Sequence, residues 1–181
     1  MKDVISDLYE KITGESTSLG KLFSKIPGIE GYMERSRRRE ADQLLRETIA
    51  ARLEEIRLQL GNVHDELGQD IIKAIDHADS FGRVDTKLMG LIGKIKDAPQ
   101  GYAGFFDAVK VKEEDLARLY AFDEQMLNHV DQIEAGVAAL GKAVREDGDI
   151  AGALRELDTA VDEANRTFAT RGELLSGVAD Y

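Results

Sequence analysis

Residues 45–81 read LRETIAARLEEIRLQLGNVHDELGQDIIKAIDHADSF, and the spacing of their apolar side chains decides the fold class. The apolar positions are Leu45, Ile49, Leu53, Ile56, Leu60, Val63, Leu67, Ile71, Ala74, Ala78 and Phe81. Their mean step of about 3.6 residues is that of a straight α-helix with one buried face. The phase continues across Gly61 and Gly68, although a glycine inside a helix costs about 1 kcal/mol relative to alanine. The stripe predicts one unbroken helix over about 31–80, which we favour, or a helix that kinks at one glycine and resumes in register.

Two further apolar stripes predict helices in the second half of the chain. The stripe from Leu116 to Val144 has a mean step of about 3.5 residues, the coiled-coil repeat, and predicts a helix over 113–145. Asp149 is a suitable N-cap for a following helix, which we predict over 149–176. Because only a short polar turn separates these two helices, we expect them to form an antiparallel hairpin.

Shorter elements complete the predicted organisation. Residues 1–30 contain short amphipathic helices and a linker, and residues 85–97 form a short helix. Residues 98–112 are an aromatic connector that contains Tyr102, Phe105 and Phe106. We therefore predict an all-α fold, an elongated antiparallel helical bundle or coiled coil of three to four helices over 31–181, with one rod of about fifty residues.

The composition argues against several classes of protein. The 181 residues include 24 Lys and Arg against 35 Asp and Glu, a net charge of −11, so nucleic acid is not an expected partner. The absence of cysteine excludes a disulfide framework, a thiolate metal site and cysteine catalysis. We find no apolar run of about 18 residues and no apolar N-terminal stretch typical of a signal peptide, and we therefore predict a cytoplasmic protein.

None of the motifs tested supports catalysis. Di-metal helical bundles need a Glu-x-x-His spacing, and none of His64, His77 and His129 has an acid or a histidine three or four residues away. Residues 136–142, GVAALGK, match the start of a P-loop, but Ala143 stands where Ser or Thr should bind magnesium, and no strand precedes them. We predict no catalytic residues, no cofactor and no metal, and a metal-dependent bundle enzyme is the least favoured alternative.

Positive charge is concentrated near the N-terminus. Residues 21–39 contain six basic and two acidic side chains in a chain whose net charge is −11. Together with Leu19, Leu22 and Ile26 they form a basic amphipathic segment, 19–39, which could bind a membrane surface or cover one end of the bundle. The arginines could equally pair with acids of the bundle itself. The candidate interaction surface comprises Lys21, Phe23, Lys25, Arg35, Arg37, Arg38, Arg39, Tyr102, Phe105 and Phe106.

These features predict a non-enzymatic helical scaffold or adaptor that acts by binding other protein chains. The sequence leaves open whether the partner is a different protein or a second copy, which would make a homo-oligomer. The alternative is a peripheral scaffold whose segment 19–39 binds an anionic membrane surface.

Overall fold

In the computed structural model the chain is described over residues 38–98 and 113–176. These ranges form five α-helices and no strand: α1 (Arg38–Leu67), α2 (Ile71–Asp97), α3 (Glu113–Arg145), α4 (Ile150–Ala169) and α5 (Arg171–Ser176). The four long helices pack into one bundle, and α5 follows α4 after a single residue. The prediction of an all-α helical bundle is therefore confirmed.

The predicted rod of about fifty residues over 31–80 is wrong. The chain leaves the helix at a turn over 68–70, and α2 then incorporates the predicted short helix 85–97. α2 runs antiparallel to α1. This direction follows from the contact between the ring of His64, near the end of α1, and the ring of Phe81, in the first half of α2, whose centroids are 4.7 Å apart. The apolar stripe from Leu45 to Leu67 thus lies along α1, and the buried side of α2 begins at Phe81.

The side chain of Asp70 provides a physical reason for the reversal. Its Oδ1 accepts hydrogen bonds from the backbone N–H groups of Ile72, at 3.1 Å, and Lys73, at 3.2 Å, and so caps the start of α2. Gly68 directly follows α1, and glycine is the residue most often found just after the end of a helix. The apolar spacing does not reveal this break. The turn occupies three residues, close to the 3.6 of one helical turn, so the apolar residues on either side of it still recur at about the helical interval.

The second hairpin has a similarly capped turn. The N–H of Gly148 donates to the carbonyl of Ala143 at 2.8 Å, and Asp147 has a φ of 58°, the left-handed conformation that ends many helices. Asp149 then caps α4 by accepting a hydrogen bond from the N–H of Gly152 at 2.7 Å, which confirms the predicted N-cap. A Cβ at residue 152 would overlap the Asp149 carboxylate in its present position, so any other residue there would require this flexible side chain to shift.

Contacts between the hairpins define the arrangement of the four helices. Lys73 Nζ lies 2.6 Å from Asp147 Oδ1, so both hairpin turns are at the same end of the bundle. α1 borders α2 and α3, and α4 borders the same two helices, so α1 faces α4 and α2 faces α3 across the core. Arg52 of α1 pairs with Asp131 of α3 at 3.0 Å, and these two neighbours run in the same direction. The chain therefore passes from α2 to its diagonal neighbour α3.

The core is one continuous cluster of apolar side chains, supplied by all four long helices. Leu45, Leu53, Ile56 and Leu60 of α1 and Leu88, Leu91 and Ile95 of α2 are fully buried in it, as are Leu119, Ile133, Leu140 and Leu157 of α3 and α4. On α1 and α2 these residues recur at the three- and four-residue spacing that places side chains on one helix face. Each hairpin therefore contributes an apolar face that the other covers.

Two glycines of α3 allow its neighbours to approach closely. A Cβ at Gly136 would lie 3.0 Å from Leu157 Cδ1, and a Cβ at Gly141 would lie 3.1 Å from Val63 Cγ2. Both glycines belong to the sequence 136–142 that matches a P-loop. Their backbone is helical, so the N–H groups that would bind phosphate are used inside the helix, and the match is coincidental.

Asp70→Ala is expected to destabilise the fold at neutral pH and to have a smaller effect in acid. The pKa of Asp70 is held below its ordinary value, chiefly by the hydrogen bond from the Lys73 backbone N–H. The folded state therefore binds fewer protons than the unfolded state near that pKa. The stabilisation is complete above the unfolded-state pKa of about 4 and is lost as the pH falls through the lower folded-state pKa.

Thermal unfolding of the wild type and Asp70→Ala, followed by circular dichroism from neutral to strongly acidic pH, measures this difference. The gap between the two midpoints should narrow as the solution becomes more acidic. Asp76→Ala is the control, because Asp76 is exposed in the same helix and caps nothing. A gap that stays constant with pH would contradict the assigned cap.

Candidate interaction surface

Most of the residues predicted to form an interaction surface lie outside the described ranges. These are Lys21, Phe23, Lys25, Arg35, Arg37, Tyr102, Phe105 and Phe106. Arg38 and Arg39 are in the first turn of α1. The predicted N-terminal segments over 1–30 also lie outside the described ranges, so the role of this set stays a prediction.

Charged side chains on the flanks of the hairpin form ion pairs between helices. Arg57 of α1 donates to both carboxylate oxygens of Asp85 on α2, at 2.7 and 3.0 Å, and these hydrogen bonds hold the pKa of Arg57 above its ordinary value. Both side chains are about two-fifths exposed, so the pair contributes only about 0–1 kcal/mol to stability. Its main effect is to align the two helices.

The contacts between the hairpins follow the same pattern. Lys87 of α2 lies between Asp162, at 2.7 Å, and Asp158, at 2.9 Å, on α4. Hydrogen bonds to Asp162 and then Asp158 raise the pKa of Lys87 above its ordinary value. On the other side of the bundle, Arg52 of α1 donates to Glu134 of α3 at 2.9 Å. Basic side chains along these flanks are therefore engaged by acids of the neighbouring helix.

One group of charges is almost completely buried at the end of the bundle opposite the two turns. Asp42 of α1 is 1% exposed, and both of its carboxylate oxygens accept hydrogen bonds from Arg171 Nη2, at 2.7 and 3.0 Å. Arg46 Nε donates to the same carboxylate at 3.1 Å. Arg46 Nη1 donates to the carbonyl oxygen of Ala98, at the end of α2, at 3.1 Å. This cluster joins α1, α2 and α5.

The arrangement of the cluster is that of a structural tie. Arg46 supplies a cation to the C-terminal carbonyls of α2, where a positive charge is favourable. A cavity of about 320 Å³ adjoins Arg46, but Glu47 and Glu54 also line it and would repel an anion. The guanidinium of Arg171 and the Nε and Nη1 groups of Arg46 are thus held by the protein itself, whereas Arg46 Nη2 is buried without a hydrogen-bond partner among the described residues. Lys96 also lines the cavity and pairs with Glu54, so the charges of the lining do not identify a ligand.

Asp42→Asn is expected to lower the free energy of unfolding by about 3–5 kcal/mol, because it leaves two buried guanidinium groups without their carboxylate. Urea denaturation of the purified variant measures the change. Asp131→Asn is the matched control: it removes a carboxylate from a partly exposed pair and should cost about 1 kcal/mol or less. Similar losses for the two variants would contradict the structural role of the buried cluster.

The buried histidine of the described chain has its hydrogen-bond partners within the bundle. Nε2 of His129 lies 2.9 Å from Oγ1 of Thr167, and Nδ1 lies 3.2 Å from Oε1 of Gln132. The ring therefore links α3 to α4. Over residues 38–98 and 113–176, no three or more histidine, aspartate or glutamate side chains are grouped so that they could hold a metal ion.

Large apolar side chains are exposed on the outer side of the α1–α2 hairpin. They are Ile71 and Ile72, 73% exposed, Leu58 and Ile75, 71% exposed, and Met89, 51% exposed. The prediction that Ile71 and Ala78 belong to the buried stripe is wrong, because both are exposed and the core of α2 begins at Phe81. The reason is the cap at Asp70: α2 restarts there with its own rotational phase.

A groove of about 790 Å³ lies between α1 and α2 on this side. Its lining includes His64, Phe81, Leu58, Gly61, Ala78 and Gly82. In the part of the chain that the structure describes, no atom lies within 4 Å of the position that a Cβ would occupy at either Gly61 or Gly82, so the groove is open there at both glycines. Ile75 lies one turn before Ala78 and extends the apolar surface toward the turn. We call the surface formed by Leu58, Gly61, Ile71, Ile72, Ile75, Ala78 and Gly82 the hairpin face.

Carboxylates border the hairpin face. Asp65 lines the groove, and Asp76 and Asp79 follow Ile75 on α2. In the part of the chain that the structure describes, none of these three forms an ion pair. A surface of exposed aliphatic side chains bordered by unpaired charges is typical of the contact regions of protein complexes, where apolar groups at the centre are surrounded by a polar rim.

The sequence contains a signal for this surface that the apolar spacing concealed. Ile71, Ile72 and Ile75 directly follow Asp70, the N-cap of α2. Adjacent residues of a helix point about 100° apart, so Ile71 and Ile72 cannot both face one narrow core stripe. If the cap is placed first, at least one exposed isoleucine is expected immediately after it.

Comparisons with known proteins do not assign the chain to a family. No protein-family model matches it, and no curated protein or solved structure gives a significant match. Within the described ranges, none of the helices combines the length and the apolar content that crossing a bilayer requires. The functional interpretation therefore depends on the surface geometry of the bundle.

Ile75→Lys is expected to change the free energy of unfolding by no more than about 0.5 kcal/mol, because the side chain is already largely in solvent. Leu88→Ala, at a fully buried position of the same helix, should cost about 2–5 kcal/mol. Urea denaturation at low protein concentration compares the two variants. A large loss of stability in Ile75→Lys would show that this isoleucine is part of the core.

Proposed function

We propose that this protein is a non-enzymatic helical scaffold that acts by binding protein chains through the hairpin face. The observation that carries the proposal is the exposure of Leu58, Ile71, Ile72 and Ile75 on one side of the α1–α2 hairpin. Ile71, Ile72 and Ile75 lie within five residues of one another at the start of α2, and Leu58 lines the groove beside Gly82. Several large exposed aliphatic side chains on one part of a surface are typical of interaction sites.

The open shape of the groove supports a protein partner. Glycine and alanine along its walls leave room for a rounded element such as a helix, which packs into grooves between the side chains of other helices. The groove lies on an exposed side of the bundle, so a partner could reach it without disturbing the core. Burial of the isoleucines would supply a favourable free energy that the isolated chain does not obtain from them.

The buried polar groups support a binding role in preference to a catalytic one. Asp42, Arg46 and Arg171 form hydrogen bonds with one another, and His129 is engaged by Thr167 and Gln132. These contacts hold helices together, and none of the groups lines the groove of the hairpin face. The cytoplasm is the proposed location of the scaffold.

Site-specific photo-crosslinking in living cells tests this function. A photoreactive benzoylphenylalanine replaces Ile75 in the full chain, and the same residue replaces Thr159 as a control, because Thr159 is exposed on α4. Irradiation should give discrete protein adducts from position 75 in several-fold higher yield than from position 159. Mass spectrometry of each adduct identifies the attached chain and shows whether it is a second copy.

The control position makes the result decisive. Adducts of defined mass that form at position 75 and not at position 159 require a protein seated on the hairpin face. Equal yields from the two positions, or no discrete adduct from position 75, would overturn the proposed function. Circular dichroism of both purified variants verifies that the bundle is folded.

A further inference from the structure

The exposed stripe on α2 has an internal symmetry. Eight positions of α2 lie within about 40° of the direction of Gly82 around the helix, at 100° per residue. Lys96, near the end of the helix, pairs with Glu54 of α1. The other seven form an uncharged stripe of Ile71, Ile75, Ala78, Gly82, Thr86, Met89 and Gly93. All of them are exposed except Gly93, which is partly exposed. This stripe points away from the core residues of the same helix.

The stripe is nearly palindromic about Gly82. Ile75 lies seven residues before it and Met89 seven residues after it, and both are large apolar side chains. Ala78 and Thr86 are small and lie four residues to either side. If two antiparallel copies of α2 meet at Gly82, Ile75 faces Met89 and Ala78 faces Thr86 of the other copy, whereas Ile71 lies opposite Gly93. An isologous dimer requires this self-complementarity.

The charges beside the stripe obey the same symmetry. Asp79 and Arg83 lie on the same side of it, about 60° and 100° from the direction of Gly82. In the antiparallel pair, Asp79 of one copy is offset from Arg83 of the other by only about 3 Å along the helix axis. Asp79 has no ion pair within the described residues, and Arg83 Nε is 3.6 Å from Asp158. The contact would contain this acid–base pair twice.

The glycines of α2 also point to an external partner. At Gly136 and Gly141 of α3, an added Cβ would lie close to side chains of neighbouring helices, which explains why glycine occupies these two positions. At Gly82, Gly90 and Gly93, by contrast, a Cβ would meet nothing within 4 Å among the described residues. Glycine weakens a helix relative to alanine, and no contact within residues 38–98 and 113–176 requires it at Gly82 and Gly93, the two that lie on the stripe. Close approach of a second helix backbone would explain both.

We propose that the exposed stripe of α2, which shares Ile71, Ile75, Ala78 and Gly82 with the hairpin face, binds the same stripe of a second copy. The two α2 helices are antiparallel in this contact, and Gly82 lies at the twofold axis. The inference rests on the proposed function and identifies the partner. Leu58, beside Gly82 in the groove, lies on the flank of this contact. Small residues at 78, 82 and 86 let the two helix backbones approach closely, as they do in other helix pairs.

The expected dimer is weak. The stripe from Ile71 to Gly93 is about 33 Å long at 1.5 Å per residue. A strip of that length and about 10 Å wide covers on the order of 300 Å² per copy, less than half of the roughly 800 Å² per partner found in stable complexes. The dissociation constant should therefore lie in the micromolar range, and the chain should exchange between monomer and dimer.

Sedimentation velocity of the full chain across a concentration series, in about 150 mM salt to screen the net negative charge, measures the association. The wild type should pass from monomer to dimer as its concentration rises. Gly82→Leu places a large side chain at the twofold axis and should raise the dissociation constant about tenfold or more. Leucine favours a helix more than glycine does, so the urea midpoint of this variant should equal or exceed that of the wild type.

Ala139→Leu is the matched control, because it adds the same side chain at an exposed position of α3. It should leave the dissociation constant unchanged. A wild type that stays monomeric at every concentration would overturn the proposal. Equal dimerisation of the wild type and Gly82→Leu would also overturn it, because the copies would then meet through another surface.

Charge reversal provides a second test. Its expected outcome would not arise if Asp79 and Arg83 acted only within one chain. Asp79→Arg alone and Arg83→Asp alone each place like charges opposite one another, and each should weaken self-association. An equimolar mixture of the two variants restores both acid–base pairs, and it should dimerise more strongly than either variant alone. A mixture that behaves as the average of its components would contradict the antiparallel contact.

The outcomes also separate this inference from the function on which it rests. If the purified chain is monomeric but position 75 forms photo-adducts with a different protein, the scaffold function holds and the second copy is excluded. If the purified chain is monomeric and position 75 gives no adduct, both proposals fail. If Gly82→Leu loses both dimerisation and the homodimeric adduct at position 75, both are supported.

Discussion

The reversal of the chain at residues 68–70 is the constraint on which the rest of this structure depends. A single carboxylate, that of Asp70, accepts the hydrogen bonds that start α2, and it does so where the apolar periodicity would otherwise continue into a longer helix. Because the chain turns back here, the apolar sides of α1 and α2 meet each other along their length. The same reversal leaves Ile71 and Ile72, the first residues after the cap, on the outside.

The two ends of the bundle are held by different kinds of interaction. At the turn end, the caps of Asp70 and Asp149 are exposed hydrogen bonds, and Lys73 links the two hairpins by contacting Asp147. At the opposite end, a buried carboxylate, that of Asp42, binds two guanidinium groups. Between them lies an apolar core, which by itself would tolerate several rotational settings of each helix. The polar contacts at the two ends, together with pairs along the flanks such as Arg57 with Asp85 and Lys87 with Asp162, therefore select the setting that the structure shows.

The sequence was sufficient to predict the class of fold and not the path of the chain. The spacing of apolar residues in 45–81 and 116–144 correctly predicted helices that share a core. The same spacing led to the incorrect prediction of one unbroken helix over 31–80. It records only the intervals between apolar residues, and a three-residue turn leaves those intervals almost unchanged. Asp70, read as an N-cap, would have corrected it. The buried pair of Asp42 and Arg171 joins residues 129 positions apart, and no local pattern contains that information.

Two groups of glycines show how an exposed surface can be distinguished from a packed core. Gly136 and Gly141 lie in a helix against neighbouring side chains, and the cost of each is offset by the close packing that it allows. Gly61 and Gly82 incur a similar cost beside an open groove, and no contact among the described residues offsets it. A chain with a net charge of −11 repels its own copies, so an association would need a surface where charge alternates and apolar area is exposed. The stripe around Gly82, bordered by Asp79 and Arg83, combines both properties, and the open glycines would let two helices come close enough to use them.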